Sequence, residues 1–179
     1  MTDHDSDDRE PIIRRLWLIR HGQSTANLGA RCEVDEDDHL TELGRLQTEA
    51  TAAILAPLIE GEVVIVTSTL TRARETGDLV AKGLAGRPVR ADPRLIEKSF
   101  DESLDEVFQR AMACLRPLHV ESECVLCVTH GHVLQALASK ALSITDLSSL
   151  EPDNCGISMV QENRWVTWNF VGHLTRLRG

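Results

Sequence analysis

Short, continuous apolar runs alternate along the chain with stretches whose apolar residues recur at helical spacing. Residues 16–19 (LWLI), 63–66 (VVIV) and 124–129 (CVLCVT) are runs of the kind that form strands buried on both faces. Residues 89–91 read as a weaker strand. Between them, Thr41 is an N-cap candidate for a helix from Glu42 toward Ala56, with Leu43, Leu46, Ala50, Ala53 and Ile54 on one face. A second helix is expected from near Thr71, behind Ser68 and Thr69, and a third over 104–118 with Ser103 as its cap. A fourth covers 133–142, and residues 156–160 and 165–170 flank Glu162 and Asn163 as a closing hairpin.

Strand–helix alternation of this kind predicts an α/β fold, three layers deep (α/β/α), with a mostly parallel central sheet. No internal repeat or low-complexity linker interrupts it. The expected organisation is a disordered acidic tail over residues 1–10, too polar to pack, and one domain over 11–179.

Composition narrows the picture. With 42% apolar residues but no Tyr, three Phe and three Trp, the core must be built from Leu, Val, Ile and Ala. A net charge of −9 argues against nucleic-acid or membrane-surface partners and requires any anionic ligand to be held by a local cluster of cations. No apolar run reaches spanning length, and the acidic N-terminus is unlike a secretory signal, so a cytoplasmic location is expected. The five Cys form no regular framework; Cys124 and Cys127 make a C-x-x-C, but inside a strand, where they read as structural thiols.

Ligands of open α/β sheets bind beyond the carboxyl ends of the strands. Three such ends here carry reactive or cationic groups. Arg20, His21 and Gly22, with Ser24 and Asn27 nearby, follow the first strand; Ser68 and Arg72 follow the second; Thr129, His130, Gly131 and His132 follow the fourth. Arg suits a phosphoryl group because its planar fork donates paired hydrogen bonds and never loses its charge. A neutral imidazole can attack phosphorus when its other ring nitrogen is held. Gly22 permits close backbone approach and could bring amides to the oxyanion. Each group has a plainer reading. Arg72 could lie on a solvated helix face, Asn27 could serve a turn, and His130 with His132 could ligate a metal. Against a metal, Arg20 adjoins His21, and no acidic residue stands at ligand spacing from the two histidines.

Together these segments resemble the histidine phosphatase superfamily, which includes the cofactor-dependent phosphoglycerate mutases. Residues 20–27 (RHGQSTAN) are similar to its opening R-H-G-x-(S/T)-x-x-N motif, and 40–47 (LTELGRLQ) to the L-T-x-x-G-x-x-Q segment. Residues 68–76 (STLTRARET) resemble S-x-x-x-R-A-x-x-T, 128–131 (VTHG) the second-histidine motif, and 154–158 (NCGIS) a late strand motif. The resemblance runs from about residue 16 to 174 in family order. It implies a phosphoglycerate mutase-like fold and a phosphohistidine intermediate on His21. Arg20, Arg72 and His130 would form the phosphate pocket, with Asn27, Ser24 and Gly131 as substrate contacts. It also implies Glu97, in an L-x-E context, as the proton donor, and neither metal nor cofactor.

The sequence departs from the family pattern after Glu97, where residues 100–103 (FDES) follow almost at once and the usual helical insertion is missing. A mutase must keep its intermediate dry while the phosphoryl group returns. An open site favours hydrolysis and admits either phosphorylated small molecules or phosphoproteins. The competing readings are a mutase-like phosphotransferase and a phosphate-binding module without turnover. Composition and motifs leave the oligomeric state undetermined.

Overall fold

The computed structural model describes residues 14–29 and 38–177. The tail over 1–10, the acidic residues 33–37 and Cys32 fall outside them. Six strands form one sheet: β1 (Arg15–Arg20), β2 (Val64–Thr67), β3 (Val89–Ala91), β4 (Cys124–Thr129), β5 (Ile157–Gln161) and β6 (Arg164–Phe170), in the order β3-β2-β4-β1-β5-β6. The first four are mutually parallel; β5 and β6 close one edge as an antiparallel hairpin. The turn residues Glu162 and Asn163 both adopt positive φ, 48° and 61°, which matches the twist of the flanking strands.

Four helices cover the sheet: α1 (Glu42–Leu55), α2 (Thr71–Gly83), α3 (Leu104–Leu115) and α4 (Gly131–Leu142). The chain runs outward from β1 to β3 through α1 and α2, then returns to β4 through α3. Right-handed crossovers therefore place α1 and α2 on one face and α3 and α4 on the other. One core layer gathers Trp17, Ile19, Leu55, Ile65, Val80 and Leu126; the other gathers Leu18, Val107, Leu115, Val125 and Leu134. The three-layer α/β/α expectation holds.

Two local expectations need correction. The buried face of α1 is Gly44, Thr48, Thr51, Ala52 and Leu55, while Leu46 and Ile54 are 41% and 38% exposed. The helix turns its small and hydroxylated side inward because it must sit close to backbone. A Cβ on Gly44 would lie 1.9 Å from the Gln23 carbonyl oxygen, and Thr48 and Thr51 return their hydroxyls to the carbonyls of Gly44 and Gln47 at 2.8 and 2.9 Å. The third helix stops at Leu115 rather than 118, because Pro117 cannot continue the ladder, and a 3-10 turn over Arg116–Val120 completes it.

Cys124 and Cys127 lie three apart in β4, so alternation sends them to opposite faces of the sheet, one into each core layer. They are free thiols, pushed up by burial, as structural cysteines should be.

Candidate active site

Register brings the site together. Arg20 pairs with Thr129 across β1 and β4, and Thr67 with Val128 across β2 and β4, so three strands end side by side. The next residues, His21, Ser68 and His130, therefore meet; the His21 and His130 ring centroids are 5.1 Å apart. All three side chains are buried.

Each reactive group is held. His21 Nδ1 donates to the carbonyl of its neighbour Gly22 at 2.8 Å, which leaves Nε2 as the unprotonated nitrogen. Burial, with Arg72 and Arg20 nearby, pushes its pKa down to about 3, so the ring is neutral at ordinary pH. Arg72 Nε donates to that same Nε2 at 3.3 Å. His130 Nε2 meets Ser68 Oγ at 2.8 Å. Ser68 Oγ also accepts from Leu70 N at 3.2 Å, and its own buried O–H has no acceptor among the described residues other than this ring nitrogen, which places the His130 proton on Nδ1. His130 is also held neutral by burial, with the His21 ring and the two arginines adding to the effect.

Three buried polar atoms around this cluster lack a hydrogen-bond partner among the described residues: Arg20 Nε, His130 Nδ1 and Asp38 Oδ2. The first two are donors. Unpaired buried donors are costly, and two of them near the His21 lone pair suit an anion with several oxygens. Arg20 is otherwise steadied by the carbonyl of Pro152 and by Glu151 at 3.5 Å. Gly131, at the first position of α4, lies against the Arg20 guanidinium, where a Cβ would approach it to 3.8 Å.

The loop carrying His21 is stitched to both helices beneath it. Gly22 N donates to Thr76 Oγ1 at 3.0 Å, so that amide is spent on α2 and is not free for an oxyanion. Glycine is needed at 22 because a Cβ would come within 2.6 Å of the Gly44 carbonyl. Gln23 N donates to Gln47 Oε1 at 3.0 Å, and Thr41 N to the Gln23 carbonyl at 3.0 Å. Asn154 Nδ2 donates to the His21 carbonyl at 2.9 Å, and Cys155, at φ 57°, donates its N–H to the Arg20 carbonyl at 3.0 Å. Thr41, Gly44, Gln47, Thr76 and Asn154 thus hold the backbone on either side of His21.

The remaining expected contacts fall at different depths. Ser24 is buried, and its N–H and hydroxyl both bond Asn27 Oδ1, at 2.9 and 3.2 Å. Ser24 therefore serves the turn, while Asn27 is exposed and its Oδ1 also accepts from Asn154 Nδ2 at 3.3 Å. Glu97 lies near enough to His21 to raise that ring's proton affinity. Its carboxyl is pushed up by burial but held below the ordinary value overall by hydrogen bonds from His132 and Lys98 N. Arg110 fixes the short loop after it through a two-pronged pair with Glu102 at 2.5 and 2.9 Å and a bond to the Arg94 carbonyl at 2.6 Å. His132 does not join His130. Among the described residues, no group of three His, Cys, Asp or Glu side chains is placed to hold a metal ion.

Asp38, the last residue of the acidic run 33–38 in the sequence, is not among the expected site residues. The carboxylate is fully buried, accepts from Thr25 Oγ1 at 2.9 Å and faces Arg72 Nη1 at 3.6 Å. Composition could not separate it from the acidic run before it.

A model of the histidine phosphatase superfamily, branch 1, matches residues 16–102 and 101–170. The chain belongs to the histidine phosphatase superfamily. Among curated members it resembles a glucosyl-3-phosphoglycerate phosphatase from Mycolicibacterium vanbaalenii, 43% identical over 86 residues, 48% of this chain and 36% of that one. The chain therefore matches only about a third of that relative's length. A metal-independent phosphoserine phosphatase from Arabidopsis thaliana is 24% identical over 93% of this chain and 85% of its own. The solved structure of a mycobacterial glucosyl-3-phosphoglycerate phosphatase with VO3 superposes with a TM-score of 0.76 at 25% identity, covering 88% of this chain and all (100%) of that one. In this chain the arginines and histidines gather at the carboxyl ends of parallel strands. No helix among the described residues is long and apolar enough to cross a membrane.

Proposed function

We propose that this histidine phosphatase hydrolyses a phosphomonoester or phosphohistidine through a covalent intermediate on His21. The observation that carries this reading is the unprotonated His21 Nε2 with the unpartnered donors Arg20 Nε and His130 Nδ1 buried around it. In the first step Nε2 attacks phosphorus as the bond to the leaving oxygen or nitrogen breaks. Arg20, Arg72 and the His130 Nδ1 proton neutralise the equatorial oxygens. In the second step water attacks the phosphohistidine, and the P–N electron pair returns to Nε2. The fixed charge of two guanidiniums supplies the stabilisation, so no step calls for a divalent ion.

Hydrolysis is favoured over mutase chemistry by the short passage from Glu97 to α3. Residues 98–103 are all that separates them, and Phe100 stands 98% exposed rather than folded over the pocket. Water has free access to the intermediate. The same openness suits either a phosphorylated small molecule or a phosphoprotein side chain. Among the described residues the buried free thiols Cys114, Cys124, Cys127 and Cys155 fit the reducing cytoplasm we assign to it. Turnover of p-nitrophenyl phosphate after exhaustive EDTA treatment, with inhibition by vanadate, is the expected result. Activity lost to chelator and restored by zinc or manganese contradicts the reading, and so does tight vanadate binding without turnover.

A further inference from the structure

His132 stands two residues beyond His130, yet it faces the other way. Its side chain is 56% exposed, and Nδ1 lies 3.1 Å from Oε1 of Glu97, itself 28% exposed. Lys98 N also donates to Oε1, at 2.8 Å. Both hydrogen bonds thus fall on one oxygen, and Oε2 carries none among the described residues. The carboxylate therefore has one oxygen tied to a solvent-facing imidazole and one available to a ligand, and it is close to His21.

We propose that Glu97 and His132 work as one proton-carrying pair, in which Glu97 exchanges the proton with the reacting oxygen and His132 positions Glu97 and exchanges that proton with solvent. This rests on the phosphatase reading above. When His21 Nε2 bonds to phosphorus, the P–O bond of the ester breaks and its electron pair stays on the leaving oxygen. The pair's proton passes from Glu97 to that oxygen, leaving a carboxylate and a neutral imidazole. When water attacks the phosphohistidine, Glu97 takes a proton from it as the P–N bond breaks, and the pair regains its starting charge. The cycle balances: ester and water become alcohol and phosphate.

The charged surroundings support a single shared proton. The hydrogen bond to Glu97 raises the His132 pKa above its ordinary value; Glu151, from the segment before β5, adds to this, and Lys98 opposes it. Glu97 is held low, with His21 across the pocket as a further contributor, and Arg110 on α3 reaches only its backbone carbonyl, at 3.5 Å. Between the two values the pair holds one proton, and it loses that proton as pH rises through the raised His132 value.

The test is the pH profile of kcat/KM for ethyl phosphate and p-nitrophenyl phosphate in the wild type, His132→Gln and Glu97→Gln. The wild type should show an alkaline limb with ethyl phosphate that is weak or absent with p-nitrophenyl phosphate, whose leaving group needs no proton. His132→Gln keeps a hydrogen-bond donor but no titrating ring, so the ethyl phosphate limb should move down by at least about one pH unit. His132→Ala should behave likewise, and added imidazole should restore the limb, since the position is open to solvent. A lower rate with the limb unmoved, or ethyl phosphate turnover indifferent to Glu97→Gln, overturns the pair and leaves the phosphatase reading intact. Absence of wild-type turnover on both substrates overturns the phosphatase reading itself, and the pair with it.

Discussion

Arg72 Nε points at Nε2 of His21, the nitrogen proposed to attack phosphorus, 3.3 Å away. The guanidinium reaches this position because Arg72 and Thr76 lie one turn apart on α2, and Thr76 is locked to Gly22 N at 3.0 Å and to the Arg72 carbonyl at 2.7 Å. The same helix turn thus sets both the nucleophile's loop and the cation beside it. In the proposed mechanism an incoming phosphoryl oxygen takes over the donor that now rests on Nε2.

Arg72→Lys should therefore fail as a conservative change. A lysine retains charge but loses the fork that spans His21, the phosphoryl group and Asp38. The expected loss in kcat is about 10²–10³-fold, the range for removing a preorganised oxyanion donor. A variant within about threefold of wild type would place the phosphate elsewhere.

If Arg72 takes the phosphoryl group, Asp38, 3.6 Å from its Nη1, should compete with substrate for it. Asp38→Asn should lower thermal stability in phosphate-free buffer, because a buried cation loses part of its compensation. It should also tighten inhibition by inorganic phosphate by roughly tenfold, the equivalent of about 1.4 kcal/mol. Phosphate inhibition that weakens instead would mean that Asp38 chiefly aims Arg72.

Gly44 offers a test of the scaffold at a distance from the chemistry. A methyl group there meets the Gln23 carbonyl at 1.9 Å, and backbone two residues from His21 must give way. Gly44→Ala should cost about 1–3 kcal/mol in chemical denaturation, in the range of overpacked cores. Activity should fall further than stability, since the displaced segment carries the nucleophile.

Buried neutral histidines tie stability to pH. The folded values of His21, about 3, and His130 lie below that of an unfolded histidine, so acid favours the unfolded chain. Stability should be intact above about pH 6.5 and fall as pH drops below it, by up to about 1.4 kcal/mol per pH unit for each ring. Denaturation midpoints at pH 7 and pH 5 should differ less in His130→Asn than in the wild type. An unchanged difference would mean that His130 takes up its proton while folded.

Much of the fold was legible because strand runs such as 124–129 are apolar throughout and the caps Thr41 and Ser103 are written in side chains, accepting from Gly44 N and Glu106 N. Periodicity failed on α1, where hydrophobicity favoured Leu46 and Ile54 but backbone proximity chose Gly44 and Thr48. The reactive residues stood out because each follows a strand. Their supports stood out only as letters of the family motifs: the part played by Thr76, Gln47 and Asn154 shows once the register of three strands brings a bare amide or carbonyl to each. Asp38 was hidden by its acidic neighbours, and the Glu97–His132 pair by a separation of 35 positions in sequence.

The proposed mechanism requires His21 Nε2 as the atom that receives phosphate. Brief reaction with 32P-labelled substrate, followed by denaturation, should leave acid-labile, base-stable label on the protein, released by digestion in the peptide containing His21. His21→Ala should abolish both label and turnover while folding normally. Label that persists in His21→Ala, or full turnover without any label in the wild type, would contradict it.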